Sequence, residues 1–202
     1  HITAGLRKVA PYYPAKGNHD LERSGGTRYE KYLGMETNTE QLRYYSFNYG
    51  NSHFLVLDTN NLLSDEPQLQ WLQEDLKATQ GKFRHRFAVL HQPLFTLIPR
   101  RKEGSDRLCQ KLQPIFTAAK LWGVFAGHDH YFYMTKRDGV THITTGGGGA
   151  PLYDQDASLT QPGDKWGKFH HFLRVKVTSK QAQAEVRDAE GKVLEKFTIC
   201  SH

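Results

Sequence analysis

SHFLVLDTNNLLSDEPQLQWLQEDLKATQGKFRHRFAVLH, residues 52–91, decides the fold class. Its first nine residues form an aromatic and β-branched run that reads as a strand. Asp65 then stands where a helix N-cap belongs, with Pro67 in the first turn. Leu69, Leu72 and Leu76 recur at three- and four-residue steps, so PQLQWLQEDLKA is an amphipathic helix. FRHRFAVLH (83–91) becomes apolar towards its end, as a buried strand does. Strand, helix and strand in that order predict an α/β protein.

The same alternation continues on both sides. YSFNYG (45–50) pairs naturally with the strand that follows Gly50-Asn51, as a hairpin or two adjacent strands. A second helix is expected over 105–120, with Ser105 as its cap. Leu108, Leu112, Ile115, Phe116 and Ala119 form its stripe, and a kink or break is expected at Pro114. WGVFAG (122–127) is another short buried strand, and 131–145 reads as two strands around Asp138-Gly139. Residues 146–167 are rich in Gly, Asp and Pro and read as a loop. In 168–199, Leu173, Val175 and Val177 alternate with Arg174 and Lys176. Val186, Val193, Phe197 and Ile199 extend the alternation past a turn at Glu190-Gly191, predicting an antiparallel meander. There is no internal repeat and no linker, so 1–202 is expected to be one domain that includes this tail.

Composition narrows the function. The chain has 202 residues, 38% hydrophobic and 24% charged, a globular balance long enough for one good core. No apolar run approaches the ~18 residues of a membrane span. The formal charge of +6 favours anionic partners without choosing among them. No Lys/Arg run of five or more suggests a nucleic-acid tail. Cys109 and Cys200 lack the spacing of a zinc cluster and form either one disulfide or two buried thiols; two unpaired thiols are favoured, because one falls mid-helix and the other at the chain end. The first residue is His and no signal peptide is visible, which reads as an excised piece or a processed N-terminus.

Three polar motifs stand immediately after expected buried strands: GNHD (17–20, after Tyr12–Lys16), LHQP (90–93) and GHDH (127–130). Ligands of α/β sheets bind beyond the carboxyl ends of strands, so the three can converge. They offer Asn18, His19, Asp20, His91, His128, Asp129 and His130, and imidazoles with an oxygen donor suit Zn, Fe, Mn or Ni. Taken singly, GNHD reads as a turn and His91 as a hydrogen-bonded core histidine, while GHDH leaves both readings open. Together, and in this order, they are far more specific.

GNHD, then a strand ending in His-x-Pro, then GHxH, resembles the calcineurin-like metallophosphoesterase superfamily. YSFNYGNSHFLVLDT, QLQWLQEDL, AVLHQP, GHDH and GGGGAPLY resemble its purple acid phosphatase-like branch, from about residue 10 to the end. The resemblance implies a four-layer mixed β-sandwich flanked by helices. It also implies a binuclear centre of Fe, Mn or Zn that hydrolyses phosphoesters by in-line attack of a hydroxide held between the metals. Asn18, His91 and His128 would hold one ion and His130 the other. His19 would serve the leaving-group oxygen, oriented by Asp20. Asp129 would orient its loop. An exported location follows by the same analogy.

The family's first two motifs, Asp-x-His or Asp-x-Gly and then Gly-Asp, have no counterpart, because no acidic residue precedes Gly17. The bridging carboxylate is therefore missing. Either the chain lacks its N-terminal strands, the favoured reading, or it is a degenerate member that binds one metal or none. Lost central strands would leave open edges that partner strands from another chain could complete. The alternative function is a non-catalytic binding or scaffold protein on the same fold. A nucleic-acid phosphodiesterase is left open but not favoured.

Smaller features are weighed the same way. Arg100-Arg101-Lys102 reads as a solvated loop tip, or as a clamp in which Arg100 and Arg101 hold the anionic end of the substrate. Gly146–Gly149 is not a phosphate loop and reads as a turn with close backbone approach. His170-His171 reads as a solvent-exposed pair, and Tyr131–Tyr133 as strand packing.

Overall fold

The computed structural model describes residue 5, residues 8–21, residue 29 and residues 43–201. β1 (Tyr45–Tyr49) and β2 (Ser52–Leu57) form the expected antiparallel hairpin, turning at Gly50 with φ +56°. α1 (Glu66–Ala78) follows, with the Asp65 side chain accepting from the Gln68 N–H. That bond satisfies one of the donors left over at a helix start. β3 (His85–Leu90), α2 (Lys102–Ala118), β4 (Gly123–Ala126), β5 (Phe132–Arg137), β6 (Val140–Thr145) and β7 (Lys165–Gly167) come next. The tail is β8 (Phe172–Val177), β9 (Gln181–Arg187) and β10 (Val193–Ser201).

A seven-stranded mixed sheet runs in the order β1-β2-β3-β4-β6-β5-β7, with β2, β3, β4 and β6 mutually parallel. A three-stranded antiparallel sheet, β10-β9-β8, is the expected meander. Period-two alternation divides the large sheet's side chains between two cores. Leu55, Leu57, Ala88, Leu90, Val124 and Ala126 face the helices and meet Leu72 of α1 and Leu112 and Phe116 of α2. Phe87, Phe132, Met134 and Ile143 face the small sheet and meet Ala182, Ala184, Val186, Phe197 and Ile199. Each fully buried Leu or Phe contributes about 1.5–3 kcal/mol relative to exposure. The described residues thus form a helical layer, a mixed sheet and a second sheet, the mixed sandwich flanked by helices that the sequence implies.

Several expectations change. Residues 11–17 are not a strand, and Asn18–Leu21 is a short 3-10 turn. Pro11 and Pro14 lack the N–H a ladder needs. The segment is held to β1 by side chains instead: Tyr13 stacks on Phe47 at 3.6 Å, and Tyr45 Oη donates to the Pro14 carbonyl at 2.8 Å. α2 starts at Lys102, so Ser105 lies inside it and donates its hydroxyl to the Pro93 carbonyl rather than capping. The helix runs unbroken through Pro114, because both Pro114 and Gln110, whose carbonyl loses its partner, are exposed to water. The expected loop 146–167 contains β7, too short to show a period, which gains its order from pairing with β5. His171 is buried, not exposed. Gly147, which has no Cβ, admits its ring, and the ring nitrogens bond Thr145 Oγ1 at 3.1 Å and the Phe169 carbonyl at 3.0 Å. His170 stays exposed. Cys109 and Cys200 form no disulfide, as their positions mid-helix and at the chain end suggested.

Candidate metal centre

Strand register builds the site. Leu57 pairs with Leu90, Leu90 with Ala126 and Ala126 with Thr144, so four parallel strands end at one level. Asp58-Thr59, His91-Gln92, Gly127-His128 and Thr145-Gly146 therefore emerge together at the carboxyl edge. Their loops are stapled to each other. Gly127 N–H donates to the His91 carbonyl at 3.0 Å, and Gln92 N–H donates to Thr59 Oγ1 at 3.0 Å. Gly146 packs on the GHDH backbone, where a Cβ would fall 2.0 Å from the Asp129 carbonyl oxygen. This is the close approach expected of the glycine run.

GNHD reaches the same edge from outside the sheet. Asn18 Oδ1 lies 2.7 Å from His91 Nε2 and 3.1 Å from His128 Nδ1, and the two nitrogens are 3.1 Å apart. Burial lowers the pKa of His91 and pushes that of His128 down to about 4, so both rings are neutral near pH 7. A neutral imidazole offers one N–H and one lone pair. If only His91 carries the facing proton, His128 Nδ1 and the amide oxygen oppose lone pairs. If only His128 carries it, His91 and the amide do. If both carry it, each N–H donates to the amide oxygen, whose two lone pairs accept them. Turning the amide to present its NH2 leaves the two imidazoles in conflict. The triangle is satisfied by hydrogen bonds when both facing nitrogens carry a proton. With those nitrogens unprotonated, the same three atoms present two imidazole lone pairs and an amide oxygen, a donor set that suits a borderline divalent metal. The residues present fit one ion. Among the described residues, no three His, Cys, Asp or Glu side chains form a metal-ligating group.

The GHDH turn is built to aim His128. Asp129 N–H bonds the Gly127 carbonyl at 2.7 Å around His128, whose φ is +65°. A γ-turn with positive φ on a residue bearing a Cβ is strained, and its surroundings hold it there. Asp129, fully buried, accepts from Thr96 Oγ1, from Tyr131 Oη at 2.7 Å and from Arg101, which also donates to the His128 carbonyl at 3.0 Å. His130 has a separate set of contacts. Its Nδ1–H donates to the Pro151 carbonyl at 2.9 Å, and its ring stacks on Tyr153 at 4.2 Å. A carbonyl can only accept, so this bond places the lone pair on Nε2, the tautomer a metal-binding histidine needs.

The structure thus joins Asn18, His91 and His128 and keeps His130 apart on its own support. His19 is exposed, and His19 and Asp20 lie within electrostatic reach of His91. The Asp20 carboxylate accepts from Gly17 N–H at 2.8 Å. Arg101 turns inward onto the GHDH loop, whereas Arg100 remains exposed. The seal on Asp129 and the support from Pro151 and Tyr153 were not derivable from the residues alone. The sequence signal nearest to the latter was APLY after the glycine run.

Fold and site define an α/β protein with two imidazoles and an amide oxygen gathered at the carboxyl edge of a mixed sheet. The calcineurin-like phosphoesterase family model matches residues 3–132, and the chain belongs to that family. Among curated relatives, purple acid phosphatase 23 of Arabidopsis thaliana is 27% identical over 164 residues, 71% of this chain and 35% of the relative. Purple acid phosphatase 18 of the same plant is 27% identical over 165 residues, covering 71% of this chain and 37% of its own length. The chain therefore spans little more than a third of these relatives. Among solved structures, the purple acid phosphatase PPD1 of yellow lupin (Lupinus luteus) superposes with a TM-score of 0.74 at 20% identity, over 91% of this chain and 37% of that one. GAP50, described as the anchor in the inner membrane complex of Plasmodium, gives 0.64 at 16% identity, over 79% and 53%. These superpositions show the fold. No helix among the described residues is long and apolar enough to cross a membrane.

Proposed function

We propose that this chain carries part of the active site of a metal-dependent phosphoester hydrolase. The observation that carries the reading is the Asn18–His91–His128 triangle, which gathers an amide oxygen and two neutral imidazoles at the carboxyl edge of the sheet. Asn18, His91 and His128 hold one ion, and His130, presenting Nε2, holds a second. When bound, such ions polarise phosphoryl oxygens and activate water near neutral pH. His19, next to Asn18, donates a proton or hydrogen bond to the leaving-group oxygen, with Asp20 ordering the 3-10 turn through Gly17. Arg101 holds the His128 carbonyl in place and is paired with buried Asp129, so Arg100 is the one that presents positive charge to the substrate's anionic end. The ions are Fe, Mn or Zn. An exported location belongs to the same proposal, by analogy with the purple acid phosphatase relatives.

The second reading is a non-catalytic scaffold. Its support is the lack of a carboxylate in the triangle, together with the likeness to GAP50. Metal stoichiometry after loading with Mn, Fe or Zn separates the two. Tightly held metal, lost in Asn18→Ala and His128→Ala, supports the hydrolase, and stoichiometry near zero supports the scaffold. Neither nucleic acid nor partner strands enter the proposal, because the basic cluster at 100–102 is short and Arg101 is already engaged.

A further inference from the structure

A cleft of about 550 Å³ opens beside His128, between the 60–64 turn and the first turn of α2. Its lining has three zones. His128 stands at one end, next to the triangle. Exposed Leu63, backed by the buried Leu62, Pro93 and Leu108, makes an apolar wall. Asn60, Asn61, Gln92, Arg100 and Arg107 supply polar groups around it.

The charges in the cleft do not cancel. Asp129 is already engaged by Arg101. Glu103 sits only 3.7 Å from Arg107, with both side chains exposed, so that pair is weak. Arg100 is exposed, and its guanidinium stands 6.0 Å from the Tyr153 ring. α2 also begins here without a side-chain cap, and its positive end adds to the same sign. One ring of the triangle, an apolar wall and a positive zone therefore line the same cleft.

We propose that this cleft is a leaving-group subsite, resting on the phosphoester reading above. It takes phosphoesters whose alcohol portion is apolar or aromatic and carries a second anionic group. The phosphoryl group sits at the triangle, the apolar part lies against Leu63, and the second anion meets Arg100 and Arg107. Simple neutral alcohol leaving groups gain only the apolar contact.

The test compares two inert probes on the whole protein loaded with manganese: benzylphosphonate and its 4-carboxy derivative, by titration calorimetry. Two solvent-exposed charge pairs correspond to about a fivefold tighter Kd for the carboxylated probe. Arg107→Glu is expected to bring that ratio to about one or below, and Glu103→Gln to raise it. Both positions are exposed surface sites, so folding is not at stake. A ratio near one in the wild type, or a ratio that survives Arg107→Glu, overturns the subsite while leaving the phosphoester reading intact. If neither phosphonate binds, the phosphoester reading falls and takes the subsite with it.

Discussion

Gly17 lies against the ring of His91: a Cβ on residue 17 would stand 3.0 Å from ring Cε1 and Nδ1 and 3.2 Å from Nε2. The absence of that carbon lets the Asn18 amide reach His91 at all. Gly127 approaches the same ring less closely, with a Cβ 3.7 Å from Nδ1, an ordinary contact. Gly17→Ala is therefore expected to displace the ring and weaken manganese binding by about 10-fold or more, the scale of changes behind a ligand. Gly127→Ala should keep the wild-type affinity. Equal affinities in the two variants would show that the approach of Gly17 does not matter.

The triangle predicts its own response to substitution. Asn18→Ala, His91→Ala and His128→Ala should each abolish manganese binding at micromolar metal. Asn18→Asp should bind at least as tightly as wild type, since a carboxylate adds charge to the same oxygen position. Elemental analysis after desalting reads the outcome, and metal retained in the alanine variants would refute the centre.

Asp129 is a structural prediction. Removing its carboxylate strands Thr96 Oγ1, Tyr131 Oη and the Arg101 guanidinium in or beside the core. Asp129→Ala should cost about 3 kcal/mol, and Tyr131→Phe about 1–2 kcal/mol, as unsatisfied buried partners generally do. Urea midpoints measured at constant m-value provide the check. A change below about 1 kcal/mol for Asp129→Ala would mean that solvent reaches the GHDH loop.

Acid sensitivity should come partly from His142. Burial in β6 against Phe95 pushes its pKa down to about 3. The unfolded chain takes up that proton near pH 6.5, whereas the folded chain refuses it until about pH 3. The unfolded state therefore binds more protons between these values, and stability falls as pH drops through that window, by up to about 1.4 kcal/mol per pH unit. Above pH 6.5 the effect vanishes. His171, also lowered by burial, acts in the same direction. His142→Phe should flatten the slope by about one proton in urea titrations from pH 7 to 4.5. An unchanged slope would assign the acid sensitivity elsewhere.

Legibility followed the range of the physical signal. The Asp65 cap, the α1 stripe and the ends of β3 and β4 were readable because caps and periodicity act within one helical turn or between strand neighbours. Residues 12–16 misled because aromatic content suggested a strand, while Pro11 and Pro14 removed the donors a ladder requires. Pro114 misled for the opposite reason. Its cost is local, but exposure and the packing of Leu108, Leu112 and Phe116 outweigh it. The burial of His171 depended on the missing Cβ of Gly147, residues apart in sequence and adjacent only in space.

By itself, the sequence determined the order of strands and helices and the chemistry available at the strand ends: an amide, several imidazoles and a carboxylate. Tertiary structure decided which of them meet. Asn18 is 73 residues from His91 and 110 from His128, distances over which no helical or strand period carries information. The parallel register of β2, β3, β4 and β6 levels their carboxyl ends, the strained γ-turn at His128 aims one ring, and the bare Gly17 admits another. Three polar atoms from three separate loops meet only where packing on several elements holds each of them in place.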